Sequence, residues 1–164
     1  MTVIRRDRHR VYPTSEQELI LRQNLGSARF VYNYCLDYAE TLHENGEKYP
    51  GYYGPDGFAA QITKLKQNPE YEWLKGADNT ALQNAAKAAD RAYRNMFARR
   101  ADKPRFKSKH NNRQTYTSTN NGNTIRFENG KFIRLPKVGS LCFRGHIRNH
   151  ERIKFSRVAN LMHS

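Results

Sequence analysis

Cysteine is nearly missing from this chain: Cys35 and Cys142 are its only two. They offer neither a metal-ligand spacing nor a disulfide framework, and free thiols suit a reducing cytoplasm. No apolar stretch approaches the length of a membrane span. The basic N-terminus is not followed by the apolar core of a signal peptide. The expectation is therefore a cytoplasmic protein with no membrane partner. The six histidines show no ligand spacing and are assigned no role. Hydrophobic residues make up only 37%, low for a chain that must fold alone, whereas ten Tyr and eight Phe pull the other way because each buries a large area. The composition suits one marginal domain, or two small ones sharing a core, stabilised in part by a ligand or by further chain.

Acid is scarce in one half. Residues 91–164 carry eighteen Lys/Arg against Asp102, Glu128 and Glu151, a net of +15. Residues 14–90 carry seven Lys/Arg against eleven acids, a net of −4, and residues 1–13 carry four Arg against Asp7. A positive field concentrated on one half attracts a polyanion, and nucleic acid is the strongest one in a cell. The alternative is a solvated basic surface without a partner.

The segment Thr2–Tyr12 reads as an opening strand, closed by Pro13. Thr14 with Gln17 makes a capping box, and apolar positions at Leu21, Leu25, Ala28, Tyr32, Cys35, Ala39 and Leu42 predict a long amphipathic helix. Gly46 to Gly57 reads as a loop. A shorter helix presents Phe58, Ile62 and Leu65; Asn68-Pro69 breaks it, and Tyr71, Trp73 and Leu74 are expected as core anchors. Asp78 or Asn79 caps a third helix whose apolar face runs Leu82, Ala85, Ala89, Tyr93, Met96 and Phe97, its alanines admitting a close neighbour. Tyr32, Tyr93, Trp73 and Phe97 are expected in the core.

Beyond Arg100 a basic linker leads into strand-like runs at 114–117, 124–127, 131–135, 141–147 and 152–158. Asn129-Gly130 signals a hairpin. A bulged register pairing Phe127 with Ile133 and Ile125 with Leu135 gives the cleaner faces. The fold class is α+β: a small basic β-barrel, completed by the first strand, with a helical bundle inserted. The expected boundaries are 1–13 and 101–164 for the barrel and 14–100 for the helices.

Six blocks in order carry a family resemblance: Val11-Tyr12-Pro13-Thr14, 26–33 (Gly-Ser-Ala-Arg-Phe-Val-Tyr-Asn), Ala81-Leu82-Gln83-Asn84, Tyr93-Arg94-Asn95-Met96-Phe97, Pro104-Arg105-Phe106-Lys107 and Leu135-Pro136-Lys137-Val138-Gly139. Together they resemble the N-terminal part of TnpB, the OrfB-type protein of insertion sequences, over nearly the whole chain. The resemblance implies a wedge-like β-barrel with an inserted recognition domain, in a region described as a transposase helix-turn-helix. It further implies an RNA-guided DNA endonuclease that binds a guide RNA and recognises a short motif beside its duplex target. The family's RuvC-like nuclease domain, with its three carboxylates and divalent metal, and its Cys₄ zinc motif are expected beyond where this sequence stops. No cofactor and no catalytic residue are therefore expected in this chain, and the tail from Val158 leaves the family pattern. A stand-alone helix-turn-helix regulator and a functionless transposon remnant are the alternatives.

Candidate phosphate contacts are Arg5, Arg6, Arg8, Arg10, Arg99, Arg100, Lys103, Arg105, Lys107, Lys109 and Lys137. The alternative for the first four is an edge strand guarded against aggregation, and for the linker cations a solvated linker. Phe106 is either a base-stacking ring or the anchor that fixes the linker. Gln and Asn are the side chains that read adenine edges bidentately. In the family, the start of the third helix and a Thr-Asn pair face the target-adjacent motif. The matching positions are Gln83, Thr119 and Asn120, with Asn79 and Thr80 beside them; these last two could also be ordinary helix-start residues. Pro55-Asp56-Gly57 stands where the family carries an aromatic of that site.

Overall fold

The computed structural model describes residues 5–111, 113–147 and 153–161. Strand β1 (Arg10–Tyr12) leads into helix α1 (Ser15–Glu44), followed by α2 (Phe58–Gln67), a 3-10 helix over Pro69–Gly76 and α3 (Asn79–Phe97). Strands β2 (Arg113–Thr119), β3 (Arg126–Glu128), β4 (Phe132–Leu135), β5 (Gly139–Arg144) and β6 (Phe155–Leu161) complete the chain.

Helix α1 starts where the capping box demands. The Gln17 amide donates to Thr14 Oγ1 at 3.2 Å, and the Thr14 amide donates to Gln17 Oε1 at 3.0 Å. The same Gln17 side chain donates through Nε2 to the Ser140 carbonyl at 2.7 Å, fastening the helix start to β5. Along its length α1 serves two hydrophobic clusters. Leu21, Leu25 and Ala28 join Ala81, Tyr116, Ile125, Leu135, Val138 and Leu141 under the strands. Val31, Tyr32, Cys35, Leu36 and Ala39 join Phe58, Ile62, Leu65, Leu74, Leu82, Ala86, Ala89 and Tyr93 among the helices. Each fully buried Leu or Phe here stabilises the fold by roughly 1.5–3 kcal/mol. The buried alanines of α3 let it approach α1 closely, as the sequence implied. At the α2 start, Gly57 is required sterically, since a Cβ there would lie 2.4 Å from the Tyr53 carbonyl oxygen.

Two expected anchors are corrected. Trp73 and Phe97 are 52% and 54% exposed, while Leu74 is fully buried. The 3-10 turn directs Leu74 inward, leaving Trp73 edge-on against Phe30 at 5.1 Å on the surface. Phe97 is the last residue of α3 and overhangs the core, touching Tyr49 and Tyr93.

The strands make a four-stranded antiparallel sheet, ordered β1-β5-β4-β3, and a two-stranded ribbon of β2 and β6. The first strand does join the C-terminal sheet, but only over Arg10–Tyr12, opposite Cys142 to Arg144. Its partner ends there: Gly145 takes φ 134°, and a Cβ on it would lie 2.7 Å from the His9 ring. The expected strand residues 5–9 thus have no ladder to join, and 2–4 lie outside the described residues. The 129–130 turn puts both residues at positive φ and sets Phe127 opposite Ile133, the bulged register. Strand β6 runs three residues past the expected end, to Leu161 opposite Arg113, so the tail carries structure beyond Val158; the expected start at Arg152 lies outside the described residues.

Among the described residues no ladder joins the two sheets, and no closed barrel is found. Asn120 bridges them instead. Its buried Nδ2 donates to the carbonyls of Ile125 (3.0 Å) and Ile153 (2.8 Å), its Oδ1 accepts from the Ile125 amide at 3.0 Å, and its own amide donates to the Lys154 carbonyl at 2.9 Å.

Candidate nucleic-acid interface

Two regions gather most of the candidate residues. The first is the linker after α3. Arg99, in the left-handed conformation at φ 57°, turns the chain out of the helix, and the linker then runs back across α1. Lys103 pairs with Glu40. The Lys107 amide donates to Asn33 Oδ1 at 2.8 Å while Asn33 Nδ2 donates to the Lys107 carbonyl at 2.9 Å. The Lys107 ammonium sits 4.1 Å from the centre of the Tyr32 ring, and burial pushes it below the ordinary lysine range. Further on, Gln114 Nε2 donates to the Lys109 carbonyl at 2.6 Å, and Arg29 Nη1 donates to Gln114 Oε1 at 2.9 Å.

Lys103 and Lys107 therefore fasten the linker. Arg99, Arg100, Arg105 and Lys109 are exposed and make no ion pair among the described residues. Phe106 is 58% exposed, which removes it as the anchor and leaves its ring available at the surface. Arg5, Arg6 and Arg8 lie exposed on the chain before β1, and Arg10 is exposed within it.

The second region is where the start of α3 meets the end of β2. Asp78, 2% exposed, caps α3: its Oδ1 accepts from the Thr80 amide at 3.0 Å and from Thr80 Oγ1 at 2.9 Å. Its Oδ2 accepts from Ser118 Oγ, and its own amide donates to Asn24 Oδ1 at 3.1 Å. Thr80 Oγ1 accepts from the Thr119 amide at 3.1 Å, and Asn84 Nδ2 donates to Thr119 Oγ1 at 3.0 Å and to the Thr117 carbonyl at 2.8 Å. Thr80 and Thr119, from segments far apart in sequence, are thus locked together, with Asn79 and Gln83 on the same end of α3. Gln83 is half-buried, and its side chain makes no hydrogen bond among the described residues. Asn79 is exposed and accepts from Lys66 Nζ. Asn120 is placed differently: it is 7% exposed, and both ends of its amide are used in the bridge between the sheets.

Lys66 gave no signal in the sequence. Burial, and then the charge of Lys137, push its ammonium below the ordinary lysine range. Lys66 thus sits beside Asn79 and within reach of the Lys137 charge. Lys137 itself sits at φ 67° in the turn between β4 and β5. Asn24, Asn84 and Ser118 were also missed, because their partners come from distant segments. Among the described residues no three of His, Cys, Asp and Glu come together as a metal site. No helix there is long and apolar enough to cross a membrane.

The profile of a family described as "Helix-turn-helix domain", that of the OrfB proteins of IS605-type insertion sequences, matches residues 1–48. The chain is 35% identical over 133 residues to "Putative RNA-guided DNA endonuclease InsQ" of Escherichia coli (strain K12), an alignment covering 80% of this chain and 31% of that protein. It is 32% identical over 119 residues to a "Putative RNA-guided DNA endonuclease" of Streptomyces pristinaespiralis, covering 73% and 29% respectively. Residues 1–48 thus match the OrfB family profile, and about three quarters of the chain aligns with TnpB-type proteins. The chain spans about a third of the length of these TnpB-type relatives. Within the OrfB-matched segment the described residues form β1 and one continuous helix, α1. The next helix begins only at Phe58, after residues 45–57, which is far longer than the three- or four-residue turn of a helix-turn-helix.

Proposed function

We propose that this chain is the nucleic-acid-binding N-terminal part of a TnpB-type RNA-guided DNA endonuclease, holding a guide RNA and recognising a short motif in duplex DNA. In this reading residues 1–13 and 101–164 act as the wedge-like unit and 14–100 as the inserted recognition unit. The supporting observation is the lock between Thr80 and Thr119, which gathers Asn79, Thr80, Gln83 and Thr119 on one edge, with Lys66 bonded to Asn79. Gln83 supplies the amide for a base edge, and Asn79 supplies a second once Lys66 turns to a phosphate. Arg99, Arg100, Arg105 and Lys109 supply sequence-independent attraction. No cleavage step is assigned to this chain; cutting by converging carboxylates belongs to the RuvC-like domain of the family.

The test is selection from duplexes with a randomised segment, followed by binding of the winner. A preferred short motif is expected. Replacing Gln83 with Ala should relax preference at one position by about 1–3 kcal/mol. Enrichment of no motif, or a Gln83→Ala profile identical to that of the parent, would refute motif reading by this edge. Strand scission by the purified chain with Mg²⁺, guide RNA and matched target, abolished by a point mutation in it, would refute the non-cleaving assignment.

A further inference from the structure

The solvent face of the four-stranded sheet carries a pattern that folding does not account for. The register places Tyr12, Cys142, Phe132 and Glu128 in one row across all four strands. Arg10 and Arg144 are partners in the row on one side, and Ser140, Arg134 and Arg126 form the row on the other. Successive rows on one face are ~7 Å apart, and Tyr12 and Phe132, two strands apart, are separated by ~10 Å. Both rings are exposed, Tyr12 at 40% and Phe132 at 36%. An aromatic row thus runs between two rows of arginine.

Protection of a sheet edge explains Arg10, because β1 is an edge strand. It does not explain Arg144 and Arg134, which lie on the interior strands β5 and β4, nor an exposed Phe132 in the middle of the sheet. Like charges directly opposite each other destabilise a ladder, yet Arg10 faces Arg144. Their guanidinium carbons lie 5.7 and 5.1 Å from the centre of the Tyr12 ring. As register partners both come from the row on one side of Tyr12, and no cation from the other row makes a cation–π contact with its ring among the described residues. Arg126 and Arg134 lie 3.4 and 4.0 Å from Glu128, which also accepts from Ser140 Oγ at 2.6 Å. The one acid of the face is thus spent on two of its four arginines, and Arg10 and Arg144 have no ion pair among the described residues.

We infer that this face binds an unpaired segment of RNA, with bases stacked on Tyr12 and Phe132 and phosphates held by the flanking arginines. Stacking on a side chain requires bases freed from a duplex, and each base offers a π-face, so the platform suits an unpaired strand over double-stranded DNA. Commitment to RNA rests on the proposed function above, in which a guide RNA is one of the two partners. None of these residues except Arg10 belongs to the binding residues named from the sequence.

Cys142, between Tyr12 and Phe132, provides the test, since the other thiol, Cys35, is 1% exposed and serves as a silent control. The full chain is alkylated with N-ethylmaleimide in the presence of an unstructured RNA of ~12 nucleotides, a length within the range one small β-domain covers. Parallel reactions use the same sequence as single-stranded DNA and as duplex DNA, with binding followed by gel shift. RNA is expected to protect Cys142 at least as well as the DNA strand, and the duplex to protect it less. Tyr12→Leu and Phe132→Leu should each weaken RNA binding on the order of tenfold, whereas Tyr12→Phe retains it. Circular dichroism melting identifies any variant that misfolds, and the other then decides. RNA that binds while Cys142 stays fully reactive overturns this inference and leaves the proposed function standing. Equal protection by duplex, or better protection by single-stranded DNA, overturns it too. Absence of any RNA binding removes both.

Discussion

Asn33 and Lys107 clasp each other through a reciprocal pair of hydrogen bonds, 2.8 and 2.9 Å long, between one side-chain amide and the backbone N–H and C=O of one residue. A single asparagine on α1 thereby satisfies both backbone groups of Lys107 and sets where the basic linker lies. Asn33→Ala should cost about 1–2 kcal/mol, since two backbone groups lose their partner but can turn to water. The melting temperature should fall, and trypsin should cut earlier after Arg105 and Lys107. A linker as resistant as that of the parent would show that Lys103 with Glu40 holds it unaided.

At the other junction, Asp78→Ala removes the α3 cap and strips Ser118 of its buried acceptor. A loss of about 2–3 kcal/mol is expected, read by urea denaturation. Asn79→Ala, at an exposed position, should fall within about 0.5 kcal/mol of the parent. Comparable losses from the two would remove Asp78 as the organising residue.

Affinity for duplex DNA should fall steeply with salt. Arg99, Arg100, Arg105 and Lys109 each contribute up to ~0.9 to the slope of log affinity against log salt, if each displaces one counterion. Changing all four to Gln should flatten the slope without altering motif preference. A slope unchanged by the four substitutions would locate the phosphate contacts elsewhere.

The two thiols should separate cleanly. Burial raises the Cys35 thiol from an ordinary 9.0 to about 12, so the folded protein keeps it protonated. A folded value above the unfolded one contributes stability fully below pH 9, lost as pH rises from about 9 to about 12. One thiol should titrate rapidly with a disulfide reagent at pH 8 in the native protein, and two in guanidinium. Replacing Cys35 with Ala should reduce the alkaline loss of stability. Fast reaction of both thiols in the native state would contradict the burial.

Much of the fold was legible because its signals are local. The Thr14–Gln17 box, the four-and-three spacing of α1 and the preference of Phe127 for Ile133 all depend on neighbours within a few residues. Trp73 and Phe97 misled for the same reason: periodicity shows which side of a helix is apolar, not where the core beneath it ends. The long opening strand failed because β5 stops at Arg144, a limit set by a partner far along the chain. The candidate interface was visible as residue types but not as an arrangement. Thr119 and Asn120 are adjacent in sequence, yet one joins the α3 edge while the other is buried between the sheets. Nothing local marks Lys66, whose significance depends on Asn79 meeting it from the start of α3.

Helix α1 is thirty residues long, ~45 Å from end to end, and contributes side chains to both hydrophobic clusters. It works as a common axle: the sheet is mounted on its first half and the helices on its second. Neither cluster can come apart without stripping one side of the same rod, so heating should melt both in one calorimetric transition. Mechanically, the α3 edge and the basic linker are bolted to one beam, and a load applied at either is felt at the other without a hinge between them.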